Sequence, residues 1–277
     1  MTDHRIKLAG VIGNPIAHSK SPRLHRHWLH QYGVAGDYVP LHVSDEDLRP
    51  VLRALPRMGF VGVNITIPHK VAVMSIADQV SDRATLIGAA NTLSFRPDGG
   101  IFADNTDGYG FISNLKQGAP DWDPSDGSVA VLGAGGAARA VISALIEAGA
   151  RHILLSNRTR PKAESLRQDY GSRVEVVDWV QAGNMIADAL TVVNTTSLGM
   201  EGAGEFRVPL DGLRPGMVVT DLVYTPLRTK LLLEADQAGC TTVDGLGMLL
   251  HQAVPAFERW FGPRPIVDDE ARSVLLQ

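Results

Sequence analysis

Short apolar runs alternate with amphipathic segments along most of the chain, and this alternation predicts an α/β fold. The clearest example begins with an apolar run over 128–132, which is typical of a buried parallel strand. A glycine-rich turn over 133–136 follows, and a helical pattern then continues to a C-terminal glycine, Gly149. A second apolar run over 152–156 completes a β-α-β unit.

The N-terminal part of the chain predicts a smaller α/β domain. Strands are expected over 7–13, 37–43 and 61–67, a hairpin over 91–95 and 101–104, and helices over 22–32, 45–58 and 109–116. Pro68 is expected to end the third strand and to begin the next helix. Asn64, Thr66 and Lys70 then gather at the C-terminal end of that strand, where open α/β sheets bind ligands.

Helices and strands keep alternating after the β-α-β unit. The pattern predicts helices over 161–170 and 229–238, and strands over 173–177, 190–194, 218–223 and 241–244. A closing helix, interrupted by Pro255, carries an apolar face of Leu249, Val254, Phe257 and Trp260 that can dock on the N-terminal domain. The predicted domains are therefore 1–108 with 246–277, and 109–245.

Composition narrows the class of protein. The chain has 277 residues and a net charge of -4, so it can bury a full core and offers no basic surface for nucleic acid. The polar start has no signal-peptide pattern, and no apolar run is long enough to span a membrane. A single cysteine, Cys240, excludes an internal disulfide and predicts a cytoplasmic location. We expect Cys240 to be a small buried strand residue.

The β-α-β unit also carries candidate cofactor chemistry. Strand, glycine turn and helix together point backbone N–H groups and a helix dipole at a phosphate, although Ala138 replaces the third glycine of the strict pattern. After the second strand the chain has Asn157, Arg158, Thr159 and Arg160, where an NAD-binding protein usually has an acid. A guanidinium pairs with the 2′-phosphate of NADP, so the sequence favours NADP over NAD.

Four polar residues are candidates for chemistry in the N-terminal domain. Ser19 and Ser21 precede a helix N-terminus, which favours an anionic ligand, although capping alone explains Ser21. Lys70 is a candidate proton-transfer group, and the alternative is an ordinary solvated lysine. Asp107 can be its partner, or a helix N-cap whose carboxylate still faces the mouth of the sheet.

Three histidines on the first predicted helix do not indicate a metal site. His27 and His30 share a face, His25 points elsewhere, and no acid or cysteine accompanies them. We expect all three side chains to face solvent, and we expect the protein to need no metal.

Eight stretches in this order resemble the shikimate dehydrogenase family over almost the whole chain. They are 13–22 (Gly-Asn-Pro-Ile-Ala-His-Ser-Lys-Ser-Pro), 64–70 (Asn-Ile-Thr-Ile-Pro-His-Lys), 88–92, 104–108, 133–137, 157–159, 194–199 and 244–248. The resemblance implies an N-terminal substrate domain, an NADP-binding Rossmann domain and a C-terminal helix that returns to the first domain. It implies the reversible reduction of 3-dehydroshikimate to shikimate with NADP(H), a small-molecule substrate as partner, and a monomer or homodimer.

The resemblance also implies roles for individual residues. Lys70 and Asp107 match the catalytic pair. The substrate ligands match Ser19, Ser21, Thr66, Asn91, Tyr224 and Gln252. The cofactor ligands match Gly133, Gly135, Gly136, Ala137, Asn157, Arg158, Thr159, Lys162, Thr195, Met200, Leu222, Gly245 and Met248.

Two positions depart from the family pattern. Lys162 stands where many relatives have a second arginine, and a lysine lacks the bidentate fork that grips a phosphate. His69 stands where aromatic or other residues are common, and we assign it no role. Two alternatives remain: a quinate/shikimate dehydrogenase with relaxed substrate or NAD use, and a non-catalytic NADP-binding paralogue.

Overall fold

The computed structural model describes residues 6–277. The chain forms two compact units, which we call the first and the second unit. The first unit contains the residues up to Thr106 together with Leu250–Gln277, and the second unit is Asp107–Leu249. These boundaries lie two and four residues from the expected ones, and the first unit is discontinuous in sequence.

The part of the chain that the structure describes contains ten α-helices and twelve strands. Before the second unit they are β1 (Lys7–Gly13), α1 (Ser21–Gln31), β2 (Gly36–His42), α2 (Leu48–Ala54), β3 (Phe60–Ile65), β4 (Gln79–Val80), α3 (Asp82–Ile87), β5 (Thr92–Phe95) and β6 (Ile101–Asp104). From Asp107 onward they are α4 (Asp107–Gly118), β7 (Val129–Leu132), α5 (Gly136–Glu147), β8 (Ile153–Ser156), α6 (Arg160–Tyr170), β9 (Val174–Val177), α7 (Ala182–Ala187), β10 (Thr191–Asn194), β11 (Val218–Asp221), α8 (Lys230–Gln237), β12 (Thr241–Val243), α9 (Leu246–Phe261) and α10 (Asp269–Leu276).

The first unit contains a mixed six-stranded sheet in the order β2-β1-β3-β5-β6-β4. β1 pairs in parallel with β2 and β3, whereas β5 runs antiparallel to both β3 and β6. The parallel strands β1 and β3 therefore end at the same edge, and the loops that leave them carry the Ser19–Ser21 and Thr66–Lys70 segments.

An aromatic cluster packs the second half of α9 against α1 and β2 within the first unit. His25 stacks on Tyr38 with ring centroids 4.0 Å apart, and Phe257 and Trp260 of α9 lie within about 6 Å of the imidazole. His25 is completely buried, and burial lowers its pKa to about 3. The expectation that His25 faces solvent is therefore wrong, because residues more than 200 positions away in the sequence cover it.

The second unit contains an all-parallel six-stranded sheet in the order β12-β11-β10-β7-β8-β9. This is the strand order of a Rossmann fold, with the reversal between β7 and β10. Val129 and Val131 pack into one core with α4, α5 and α6, while Ala130 and Leu132 pack into a second core with α7 and α8. Both faces of the sheet are covered, which explains why its strands are continuous apolar runs.

Several predicted element boundaries differ from the structure, and two of the differences lie near prolines. The helix expected over 45–58 is α2 followed by a 3₁₀ turn over Leu55–Met58, because Pro56 has no N–H to continue α-helical bonding. The third strand ends at Ile65, and Pro68 opens no helix. His69 N–H closes a turn onto the carbonyl oxygen of Thr66, and a 3₁₀ helix follows over Ala72–Ser75.

The closing helix and the start of α1 also differ from the expectation. Pro255 lies inside a continuous α9, whereas an interruption was expected. The N-cap of α1 is Lys20, so Ser21 is the first helical residue and not the cap. The sequence pattern did not reveal β4, α3, α7 and α10. Cys240 is buried as expected, although it lies one residue before β12.

Every helix within residues 6–277 is too short or too polar to cross a membrane. The same described residues contain no cluster of three or more metal-ligating side chains.

Candidate active site

A series of hydrogen-bonded hydroxyl and amide groups lies near the C-terminal edge of the first unit's sheet. The hydroxyl of Tyr38 donates to Asn64 Oδ1 at 2.7 Å. Burial raises the pKa of Tyr38, and the nearby Ser21 side chain lowers it. Asn64 Nδ2 donates to the carbonyl oxygen of Asn91 at 3.1 Å and to Thr92 Oγ1 at 3.2 Å. These hydrogen bonds join Tyr38, Asn64 and Asn91 in a single buried network, and Ser21 lies beside it.

Asn91 is the centre of this network. Its Oδ1 accepts from the N–H and the hydroxyl of Thr106 at 2.9 and 3.1 Å. Its Nδ2 donates to Gln252 Oε1 at 3.4 Å, so that two of the predicted substrate ligands contact each other. The backbone N–H of Asn91 donates to the carbonyl oxygen of Asp104 at 3.0 Å. The amide of Asn91 is therefore fixed by groups from β6, from the segment after it and from α9.

The Thr66–Lys70 turn is tied to the sheet at both of its ends. Thr66 N–H donates to the carbonyl oxygen of Ile12 in β1 at 2.9 Å. The carbonyl oxygen of Lys70 accepts from Ala90 N–H at 2.8 Å, which places the lysine backbone beside the residue before Asn91. Ile67 and Val71 are exposed by 73% and 67%, so the turn projects outward between its two anchors. The structure thus brings Thr66, Lys70 and Asn91 to one edge of the sheet.

A buried carboxylate, Asp104, fixes the end of β6 just before the predicted catalytic aspartate. Arg83 Nε donates to its Oδ1 at 2.7 Å, and Arg259 Nη2 of α9 lies 2.9 Å from its Oδ2. Burial alone would raise the pKa of Asp104, but hydrogen bonds from Arg83, Ser81 and Arg259 hold it at about 2. Asp104 is therefore ionised at neutral pH and anchors the strand that leads to Asp107.

Asp107 is the first residue of α4, and it is half-buried. A carboxylate in the first turn of a helix is stabilised by the positive end of the helix dipole. Gly108 follows, and a Cβ there would lie 2.9 Å from Ala144 Cβ of α5. This position therefore requires glycine, because α4 crosses α5 closely within the second unit.

The glycine turn of the second unit has the geometry of a phosphate-binding loop. Gly133 has φ +104°, and its N–H donates to the carbonyl oxygen of Ser156 at 2.8 Å. Gly135 and Gly136 are exposed, and Cβ atoms on them would meet nothing within 4 Å. α5 begins at Gly136, so its first N–H groups and Ala137 face open space.

The residues after β8 include one cation that is already paired and two that are available. Asn157 Oδ1 accepts from Ala134 N–H at 3.1 Å and thereby joins this loop to the glycine turn. Arg160 forms ion pairs with Asp178 and with Glu164, so its guanidinium is already engaged. Arg158 and Lys162 are exposed, and within residues 6–277 neither side chain has an ion pair. Arg158 and Lys162 are therefore the cations available for a phosphate.

The loop after β10 faces the glycine turn across the reversal of strand order. Thr195 Oγ1 donates to the carbonyl oxygen of Leu132 at 2.8 Å, and a Cβ on Gly133 would lie 2.7 Å from that hydroxyl oxygen. Asn194 Oδ1 accepts from the N–H and the hydroxyl of Thr196 at 3.1 and 2.7 Å and so closes the turn. The close approach of the two loops explains why the turn needs glycine at 133.

A buried carboxylate, Asp221, supports the loops that follow β10 and β11. Its Oδ1 accepts from Asn194 Nδ2 at 2.9 Å and from Val223 N–H at 3.0 Å, and its Oδ2 accepts from Thr229 Oγ1 at 2.7 Å. Burial raises its pKa to about 6 against the lowering effect of these hydrogen bonds. Sequence reasoning missed Asp221; its only signal is a lone acid at the end of an apolar strand.

The other predicted ligands of the second unit lie on the loops after β10, β11 and β12, except Met248, which lies in the first turn of α9. Met200 and Tyr224 are exposed by 43% and 40%, and Leu222 and Met248 are half-buried. Gly245 is buried, and a Cβ on it would lie 2.4 Å from the carbonyl oxygen of Leu222. Gly245 therefore has a packing role that is sufficient to explain why it is glycine.

The second unit has a parallel Rossmann sheet with an open glycine turn, and the first unit has a polar sheet edge that carries a lysine. These features define a nicotinamide-dinucleotide-dependent oxidoreductase. Three family models match the chain: "Shikimate dehydrogenase substrate binding domain" over residues 11–93, "Shikimate / quinate 5-dehydrogenase" over 117–199, and "Shikimate 5'-dehydrogenase C-terminal domain" over 245–266. The chain belongs to the shikimate dehydrogenase family, as expected from its motifs.

Known proteins match along essentially the whole chain. A shikimate dehydrogenase (NADP(+)) from Ruegeria sp. (strain TM1040) is 67% identical, and the match covers 100% of both chains. The structure of shikimate 5-dehydrogenase from Thermus thermophilus in complex with NADP(H) and shikimate is 36% identical, with a TM-score of 0.86 over 98% of this chain and 99% of that one. Quinate dehydrogenase from Corynebacterium glutamicum in complex with NAD is 34% identical, with a TM-score of 0.90 over 98% and 99%.

Proposed function

We propose that this protein catalyses the reversible reduction of 3-dehydroshikimate to shikimate with NADPH. The observation that carries the proposal is the 67% identity, over the full length of both chains, to a protein named shikimate dehydrogenase (NADP(+)). The two structural neighbours at 34% and 36% identity differ in substrate and cofactor, so they support the reaction type and not the choice between shikimate and quinate.

The residues of the second unit fit NADP. Gly135 and Gly136 leave open space at the N-terminus of α5, which suits a pyrophosphate. Exposed Arg158 and Lys162 suit the 2′-phosphate, with Asn157 and Thr159 beside them. We assign Met200, Gly245 and Met248 to the nicotinamide, and we propose Thr195 and Leu222 as further cofactor ligands. We accordingly assign NADP binding to the second unit and substrate binding to the first.

The first unit supplies the groups that bind the acid. We assign the substrate carboxylate to Ser19 and Ser21, whose hydroxyls precede and begin α1. Thr66, Asn91 and Gln252 are assigned to the ring hydroxyls, and Tyr224 of the second unit is assigned to the same substrate. The hydrogen bond between Asn91 and Gln252 supports this assignment, because it orients two amides that have both donors and acceptors.

Lys70 and Asp107 are the proposed acid-base pair. Bound NADPH supplies a hydride to the carbonyl carbon of the substrate. The carbonyl oxygen then gains negative charge, and Lys70 as an ammonium stabilises this charge and donates a proton to the oxygen. In the reverse direction the Lys70 amine accepts that proton. Asp107 as a carboxylate orients the ammonium and accepts a hydrogen bond from a substrate hydroxyl.

The proposal is tested by mixing the purified protein with shikimate or quinate and with NADP+ or NAD+, and following the absorbance of reduced nicotinamide. We expect the highest kcat/KM for shikimate with NADP+. A higher value for quinate or for NAD+ would favour a quinate/shikimate dehydrogenase with relaxed specificity. No reduction with any pair, together with measurable NADP+ binding by calorimetry, would favour a non-catalytic paralogue.

Two further assignments accompany the proposal. Composition supports a cytoplasmic location, because one cysteine in 277 residues suits a reducing compartment. We propose a monomer or a homodimer, which light scattering of the purified protein will distinguish.

A further inference from the structure

Lys20 lies between the two serines that we assign to the substrate carboxylate, and it contacts the far end of the chain. Its Nζ donates to the carbonyl oxygen of Leu275, 255 positions later, at 2.5 Å. Leu275 is in the last turn of α10. The Ser19–Ser21 loop is therefore bonded directly to the C-terminal helix of the first unit.

The helix that receives this bond is well ordered by its own contacts. Asp268 Oδ1 accepts from Ala271 N–H at 2.8 Å, which caps the N-terminus of α10, and Asp269 and Glu270 occupy its first turn. Ala271 and Leu275 are completely buried, and α10 packs against α1. α10 is therefore a fixed support for the loop.

The position of Lys20 suits the electrostatics of a helix end. The last carbonyl groups of an α-helix have no partner within the helix and carry partial negative charge, so a cation beside them is favourable. The ammonium of Lys20 satisfies one of these carbonyl groups. The partner of Lys20 is a neutral carbonyl and not a carboxylate, so this contact brings no negative side-chain charge into the loop.

The two serines lie on the other side of the same loop. The Ser21 side chain lies beside the hydroxyl of Tyr38, which is completely buried and donates to Asn64. Ser21 N–H donates to Ser19 Oγ at 3.4 Å. Lys20 thus ties the loop to α10, while Ser21 lies beside a fixed side chain of the sheet.

We infer that Lys20 is a positioning residue, which ties the Ser19–Ser21 loop to α10 and so sets the affinity for the substrate carboxylate. The inference rests on the proposed function, since it takes Ser19 and Ser21 as the carboxylate ligands. It assigns α10, a helix outside the predicted site, to substrate binding. Lys20 acts through the serines and takes no part in the proton transfer by Lys70.

The test compares steady-state kinetics of the full chain with Lys20→Met, Lys20→Arg and Arg23→Met. Arg23 is an exposed cation in the first turn of α1, so its loss changes the charge near the loop equally but leaves the bond to α10 intact. We expect Lys20→Met to raise the KM for shikimate about tenfold, the scale of one charge-assisted hydrogen bond, with kcat and the NADP+ KM within twofold. Lys20→Arg, which can reach the same carbonyl oxygen, should restore most of the affinity.

A double-mutant cycle makes the test specific for α10. Removing residues 275–277 deletes the acceptor, so Lys20→Met should then change the shikimate KM by less than twofold in the truncated chain. The point variants leave α10 intact and decide the question even if the truncated chain does not fold. An unchanged KM for Lys20→Met, an equal effect of Arg23→Met, or equal losses of kcat and affinity would overturn the inference.

Ser19→Ala and Ser21→Ala separate this inference from the function on which it rests. If both serine variants raise the shikimate KM while Lys20→Met does not, the carboxylate site stands and the role of Lys20 is wrong. If neither serine variant raises the KM, the assignment of the carboxylate site is wrong, and the inference about Lys20 is wrong with it.

Discussion

The indole of Trp260 occupies the space beside Gly62 where any other residue would place its Cβ. A Cβ built on Gly62 would lie 2.0 Å from Trp260 Nε1 and 2.4 Å from the carbonyl oxygen of Leu93. Trp260 Nε1 also donates to Ser94 Oγ of β5 at 3.2 Å. This contact places the end of α9 directly on the sheet that carries the polar edge of the first unit.

Gly62→Ala should destabilise the first unit. The methyl group would overlap both the indole and backbone, and overpacking of this kind costs about 1–3 kcal/mol. The measurement is the free energy of unfolding from urea titrations. The control is Gly204→Ala, where a Cβ would meet only the side-chain tip of Leu198 at 3.3 Å. Equal stabilities of the two variants would show that Trp260 moves aside without cost.

Lys70→Ala should lower kcat by about 10²–10⁴-fold, the usual effect of removing an acid-base group. The protein should keep its NADP+ affinity, because Lys70 belongs to the first unit and the cofactor residues belong to the second. Stopped-flow and steady-state assays with shikimate provide the measurement. Lys116→Ala, at the last turn of α4, is the control. Wild-type turnover in Lys70→Ala would remove this lysine from the chemistry.

Arg158→Ala should raise the KM for NADP+ more than it lowers kcat. Loss of a charge-assisted hydrogen bond to the 2′-phosphate costs about 1.5–3 kcal/mol, which corresponds to about 10- to 150-fold. The KM for NAD+, which lacks this phosphate, should change little. Arg160→Ala is the matched control, because its guanidinium is already paired with Asp178 and Glu164. Similar increases for both cofactors would contradict the assignment of Arg158.

Asp221 should make stability depend on pH between about 4 and 6. Burial raises its folded-state pKa to about 6, above the ordinary value of 3.8, so the folded protein binds this proton more tightly than the unfolded chain. Its contribution to stability is therefore complete below pH 4 and is lost as the pH rises to about 6. The difference in pKa corresponds to roughly 3 kcal/mol.

The measurement is the difference in the free energy of unfolding between wild type and Asp221→Asn from pH 4 to 7. The difference isolates Asp221, because burial lowers the pKa of His25 to about 3 and of His251 to about 4, and both oppose the trend in the wild type. Asp104, with a pKa of about 2, contributes only below this window. A difference that stays constant with pH would show that the buried Asp221 carboxyl does not titrate there.

The second unit was largely predictable from sequence, and the first unit less so. Strands such as β7 and β8 are buried on both faces and are followed by glycine or polar turns, so their local pattern already contains the fold. α2 stops early because of Pro56, a local effect that the apolar spacing concealed. α9 runs through Pro255 because packing of Phe257 and Trp260 in the first unit outweighs the local cost.

The sequence motifs predict residues of the candidate site but not the groups that hold those residues in place. Motifs identify Asn64 and Asn91, whereas the network that joins them extends to Tyr38, which lies in a strand of ordinary pattern. The same holds for Asp221, which bonds Asn194 on the neighbouring strand, and for Lys20, whose partner lies 255 positions later. No local pattern reports a contact across 255 residues, so these roles required the folded chain.

The split of the first unit into two sequence segments has a consequence for synthesis on the ribosome. The second unit is one uninterrupted stretch, Asp107–Leu249, and can fold as soon as it emerges. The first unit must wait for Leu250–Gln277, because Trp260 covers Gly62 and Arg259 pairs with buried Asp104. The segment translated first therefore completes its fold last, and until then the sheet face that Trp260 covers is exposed to chaperones and proteases.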